Sequence, residues 1–136
     1  MINILSAIYS KMNGSALSAD VGGRIYPDEA PPGCEFPYVV FFVVSAVPDN
    51  AFSKTGKDVV VQFDLFSKSS GNVEITTMYA DLKSLLDEAT MTITSNTLIL
   101  MKETSLVTMM EDGPTQDGTE RIRHWSVDYE IMTQAS

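Results

Sequence analysis

The longest apolar run, Phe36-Pro37-Tyr38-Val39-Val40-Phe41-Phe42-Val43-Val44, is apolar at odd and even positions alike. A strand with one wet face alternates, so this run predicts a strand covered on both faces and paired on both edges. Pro37 marks its start, because proline does not sit inside a central strand, and Pro48-Asp49-Asn50 marks its end. Residues 57–67 read as the next strand, with Val59, Val61, Phe63 and Leu65 on one face. Val60, Gln62, Asp64 and Phe66 make a mixed opposite face. Two such strands joined by a modest loop predict an antiparallel hairpin. The last strand, 120–133, alternates cleanly: Arg123, Trp125, Val127, Tyr129 and Ile131 against His124, Ser126, Asp128 and Glu130. That pattern predicts one buried and one solvated face. Before it come a brief strand at 91–93, a long strand at 97–110 and a turn-rich loop at 111–119.

Helical periods appear in two places. Ile4, Leu5, Ile8 and Met12 share one face, which predicts a helix over 3–12 stopped by Gly14, with a further turn at 15–21. Ile75, Tyr79, Leu82, Leu86 and Ala89 recur at three- and four-residue steps, widened by Met78 and Leu85, so 73–89 is the strongest helix. Asn72 or Ser70 supplies its start signal. Gly22-Gly23 breaks the chain before a short strand at 24–26, and three prolines with a glycine make 27–33 an extended connector. The order of elements predicts one α+β domain over 1–136, an antiparallel β-sheet with two main helices packed on it. The central hairpin carries more apolar surface than two helices cover, which points to an oligomer.

Composition narrows the function classes. The chain has 136 residues and a net charge of −9, which argues against tight binding to phosphate backbones. No stretch reaches the roughly 20 apolar residues of a membrane-spanning helix. The N-terminus lacks a basic leader, and one cysteine makes no internal disulfide, so a reducing cytoplasm is the expected compartment.

The chemistry-bearing residues form no credible catalytic or metal constellation. His124, Ser126 and Asp128 invite a triad reading, but neighbours on one strand face point the same way instead of converging. His124 is therefore expected as a surface histidine without partners. Cys34 is expected as a small, partly buried residue with no cation nearby to activate it. Thr55-Gly56-Lys57-Asp58 lacks the upstream glycine and the following hydroxyl of a phosphate-binding loop. The acidic residues between Glu111 and Asp117 lack the alternating ligands of a calcium loop, and Pro114 interrupts them. Asp28-Glu29 and Asp87-Glu88 read as solvated pairs.

The order and spacing of several pieces carry a family resemblance across nearly the whole chain. They are the early helix, Gly22-Gly23-Arg24-Ile25-Tyr26-Pro27, Pro37-Tyr38-Val39-Val40, the strand 59–67 and the helix 73–89. The long closing hairpin around Asp112-Gly113, ending in Trp125 and Tyr129, completes the set. Together they resemble the tail-completion, or tail-terminator, proteins of long-tailed bacteriophages and prophages. The resemblance implies a small α+β subunit that forms a ring with itself, of six copies, at the head-proximal end of the tail tube. The ring would stop tube growth and join the tail to a head-closure or neck protein. It further implies no catalytic residues, no cofactor and no metal, with DNA passing through without specific binding. The expected location is the virion tail or neck, and the host cytoplasm during assembly. The polar loops 48–56 and 111–119 are the expected joining surfaces, through Asp49, Asn50, Phe52 and Lys54, and through Asp112, Thr115, Gln116 and Asp117. The alternative is a small ligand-binding or enzymatic α+β domain, which calls for a polar pocket between sheet and helix.

Overall fold

A computed structural model describes residues 2–49, 56–68, 71–86, 96–112 and 121–135. Helix α1 spans Ile2–Met12 and α2 spans Ala16–Asp20. Strand β1 (Ile25–Pro27) precedes β2 (Tyr38–Asp49) and β3 (Gly56–Ser67). Helix α3 (Val73–Leu86) is followed by β4 (Asn96–Asp112) and β5 (Arg121–Ala135). The five strands form one sheet in the order β1-β2-β3-β5-β4.

Local signals explain the helix ends. Gly14 takes a left-handed φ of 79° after α1, and Ser15 then serves both helices. Its hydroxyl donates to the Met12 carbonyl at 2.6 Å and accepts from the Ser18 N–H at 3.2 Å, which caps α2. At the start of α3 the Asn72 carbonyl accepts the Thr76 N–H. The α3 stripe is centred on Ile75, Met78, Leu82 and Leu86, each fully buried, with Tyr79 and Leu85 on its flanks. Ala89 and the strand expected at 91–93 lie outside the described residues.

One core holds the domain together. Val39 and Phe41 of β2, Val59, Val61, Phe63 and Leu65 of β3, and Val127, Tyr129 and Ile131 of β5 meet the buried faces of all three helices. Trp125 packs at the margin of this core. Directly paired residues share a sheet face, so the register defines the layers. Pro27, Phe41, Phe63, Val127 and Leu106 lie in one transverse row across all five strands.

The structure differs from the sequence reading in four respects. First, β1 runs parallel to β2, so the sheet is mixed. The proline-rich connector returns the chain to the end where β1 began, and a strand started there must run the same way. Second, the described helices all pack on the face of β2 that carries Val39 and Phe41, so among the described residues β2 is not sandwiched between helical layers. Its even face is partly covered within the sheet itself: Tyr38 stacks on Phe66 of β3 with ring centroids 4.6 Å apart, and Val40 is 7% exposed. A register shift between Val43 and Ser45 leaves Val44 52% exposed. Third, the strands run further than their alternation suggested. Pro48 and Asp49 still pair, with Lys57 and Gly56, and Glu111 and Asp112 still pair, with Ile122 and Arg121. At Pro48, β2 has no outer neighbour among the described residues, in keeping with the confinement of proline to sheet edges. Fourth, among the described residues β2 is paired on its outer edge only from Val39 to Phe41.

Candidate assembly interface

The face of the sheet without helices carries a polar network that strand alternation alone does not reveal. Asp64 on β3 is 9% exposed and accepts from Gln62 Nε2 and from Ser126 Oγ, each at 2.8 Å. His124 on β5 lies between two carboxylates, with Nε2 3.5 Å from Asp64 and Nδ1 2.8 Å from Glu111 on β4. The imidazole also stacks on Phe66, centroids 4.2 Å apart, and so joins the row that continues through Tyr38 to Tyr26. The expected partnerless surface histidine is thus corrected: its partners come from the two flanking strands, where a single-strand view does not look.

The network is structural in its chemistry. Ser126 Oγ stands 3.4 Å from His124 Nε2, but its proton is donated to Asp64. A hydroxyl held by a carboxylate is not poised for transfer to an imidazole. Burial alone would lower the His124 pKa, but its hydrogen bonds to Asp64 and Glu111, and their charges, outweigh burial and raise it. Burial pushes Asp64 the other way, yet hydrogen bonds from His124, Ser126 and Gln62 hold it below the usual carboxylate range. Asp128, on the same face, is raised by burial and then by the charge of Asp64, and its Oδ1 has no hydrogen-bond partner. Among the described residues no group of acidic, histidine or cysteine side chains is arranged to hold a metal ion.

Cys34 is partly buried as expected, but the expectation of no nearby cation is overturned: Arg24 acts on it. Burial still dominates and raises the thiol pKa, which disfavours the thiolate. Arg24 itself is fixed by the carbonyls of Pro37 at 3.0 Å and Phe36 at 3.3 Å, and so ties β1 to the start of β2.

The two candidate joining loops leave the sheet at opposite ends. Asp49 pairs with Gly56 in the row next to Gln134, at the C-terminal end of β5. Asp112 pairs with Arg121 at the N-terminal end of β5. That hairpin projects beyond β3, whose last residue, Ser67, pairs with Arg123. Asn50, Phe52 and Lys54, and Thr115, Gln116 and Asp117, lie outside the described residues.

Apolar surface is left at both side edges. A groove of about 740 Å³ lies between α1 and β1, lined by Leu5, Tyr9, Ile25, Pro27 and Phe41 among others. Its lining is mainly apolar, unlike the polar pocket of the ligand-binding alternative. The space between α3 and the sheet is filled by the buried α3 stripe. At the other edge Leu106, Val107, Met109 and Met110 of β4 are all exposed. Tyr79 of α3 donates to Glu103 at 2.6 Å, and the uncovered residues lie further along β4. These edges escaped the sequence reading because β4 does not alternate, and because which strands end up at the sides of the sheet is decided by the whole strand order, not by any one segment.

Comparison with known proteins agrees with this architecture. The family described as tail completion protein gp17 matches residues 6–134. No curated protein matches the chain. Among solved structures, a chain from the "virion of native gene transfer agent (GTA) particle" superposes with a TM-score of 0.76 at 17% identity. That match covers 96% of this chain and 93% of the other.

Proposed function

The chain belongs to the tail completion protein gp17 family, and from that premise we propose that it closes the head-proximal end of the tail tube as a ring of its own copies. It is a structural, non-catalytic phage protein of the tail or neck that acts in head–tail joining. The finer reading is that the ring, of six copies, contacts the tail tube protein on one axial side and the head-closure or neck protein on the other.

The observation that carries this reading is the placement of the two loops at opposite ends of one rigid sheet. A head-to-tail ring has two different axial faces, as a piece between tube and head requires. With strands running roughly along the ring axis, Asp49, Asn50, Phe52 and Lys54 would serve one face. Asp112, Thr115, Gln116 and Asp117 would serve the other. Loops presented by a rigid sheet are the usual carriers of such contacts. The net charge of −9 supports passage of DNA without retention, because like charges repel phosphate.

The test is electron microscopy and native mass spectrometry of the concentrated protein, alone and with its tail tube protein. Rings seated on tube ends are expected. A chain that stays monomeric in both conditions overturns the ring.

A further inference from the structure

The two side edges of the sheet match each other in height, face and direction. Along the transverse row, Pro27 pairs with Phe41, Phe41 with Phe63, Phe63 with Val127, and Val127 with Leu106. Pro27 at one edge and Leu106 at the other therefore stand at the same level. Paired residues share a face, and Phe41, Phe63 and Val127 belong to the core, so both ends of the row lie on the helix-bearing face. On that face, at that level, the groove between α1 and β1 opens at the β1 edge. Leu106 stands at the opposite edge, 37% exposed, with Met110 45% exposed further along.

Direction also agrees. β1 and β2 run parallel, β2 and β3 antiparallel, β3 and β5 antiparallel, and β5 and β4 antiparallel. β4 therefore runs opposite to β1 and β2. A second copy laid alongside, helices on the same side, brings its β4 antiparallel to the β1–β2 edge. From Phe42 onward the outer edge of β2 has no strand beside it among the described residues, and the outer edge of β4 has none. Unpaired edges of this length are a template for strand addition.

We propose that the groove between α1 and β1 is a socket for the β4 edge of a neighbouring copy of this chain, with Leu106 as the anchor. The inference rests on the ring reading and names its subunit contact. The occupant is a second copy because this chain's own β4 edge offers exposed apolar side chains, Leu106 and Met110, on the helix-bearing face, with Leu106 at the level of the groove, on a strand that runs antiparallel to β1 and β2. The contact uses different surfaces on the two partners, so each addition leaves one free socket and one free edge until the ring closes.

Cysteine pairing and blocking variants test it. In a Cys34→Ala background, Ser6→Cys places a thiol at the groove and Leu106→Cys places one on β4. Within one chain β1 and β4 are four strand spacings apart, roughly 19 Å, beyond the roughly 7 Å Cα separation a disulfide spans. Oxidation of the double variant is expected to give a ladder of covalent oligomers up to the closed ring. Leu106→Glu blocks the edge and Ser10→Trp fills the groove. Each alone is expected to raise the concentration needed for assembly at least about tenfold, with circular dichroism unchanged. Mixed together they retain one good socket and one good edge, so they are expected to form dimers and stop. If the native chain forms rings but the double variant gives no ladder and both blocked variants assemble normally, the socket is wrong and the ring reading stands. If the native chain forms no ring, alone or on tubes, the ring reading fails and the socket with it.

Discussion

Two residues are favoured by the fold in opposite charge states, one neutral and one cationic, yet both hold a proton and both make the fold less stable as pH rises. Asp20, at the end of α2, is raised to about 6 by burial, then by a hydrogen bond and charge repulsion from Asp81 on α3. The folded state holds that proton above the unfolded value of about 3.9, so its stabilising contribution is lost between about pH 4 and 6. Asp20→Asn keeps the shape and removes the charge. It is expected to raise the urea midpoint at pH 7 and to leave it unchanged at pH 4. His124 is also raised, but here the charged form is the stabilised one, held by Asp64 and Glu111. Its contribution is complete below the unfolded value of about 6.5 and is lost as pH climbs through the folded one. The stability advantage of the native chain over His124→Gln is therefore expected to be largest near pH 6 and to shrink by pH 9. Equal differences at both pH values would show that the fold holds the His124 proton no more tightly than the unfolded chain does. Loss of His124 also leaves Asp64 without one of its three hydrogen-bond partners, so a purely silent substitution is not expected.

At the scale of elements, α3 is the piece whose loss opens the core. Leu82 is fully buried in the cluster that joins α3 to the sheet. Leu82→Ala is expected to cost about 2–5 kcal/mol in chemical denaturation, through lost burial and the cavity left behind. A change below about 0.5 kcal/mol, typical of surface positions, would place the wrong helix face on the sheet. The four buried α3 positions fall at 3-, 4- and 4-residue steps, so this face was legible from period alone. Strands β2 and β3 were legible for a similar reason: β-branched and aromatic runs, broken by Pro37, mark where pairing begins. The ends were not, because Pro48 and Glu111 are ordinary loop residues that happen to find partners across the ladder.

At the scale of the whole molecule, the hairpin tip offers a cleaner test than any core position. Deleting Thr115–Asp117 shortens only the connection beyond Asp112 and Arg121, the last pair of the β4–β5 ladder. Loop length costs a folded domain little, so the thermal midpoint is expected to stay near that of the native chain. Head–tail joining, scored as infectious particles by complementation, is expected to fall. Normal particle yields from the deletion would remove that tip from the joining surface. On the proposed reading, the two edges and two ends divide the labour: edges for neighbours in the ring, ends for tube and head.

Periodicity determined what each segment is. Which residues of a helix or strand share a face depends only on 3.6- and 2-residue geometry, and apolar spacing reports it directly. The amphipathic helices, the apolar central strand, the clean alternation of β5 and the overall α+β class were all decided at that level, and the family resemblance followed from their order. Tertiary structure decided what each segment meets. The parallel pairing of β1, the convergence of Asp64 and Glu111 on His124, and the alignment of Leu106 with Pro27 depend on register between strands distant in sequence. Nothing local encodes such a register, because a strand has the same two faces whichever neighbour it pairs with. Only closure of the sheet around one shared core sets which residues stand opposite one another.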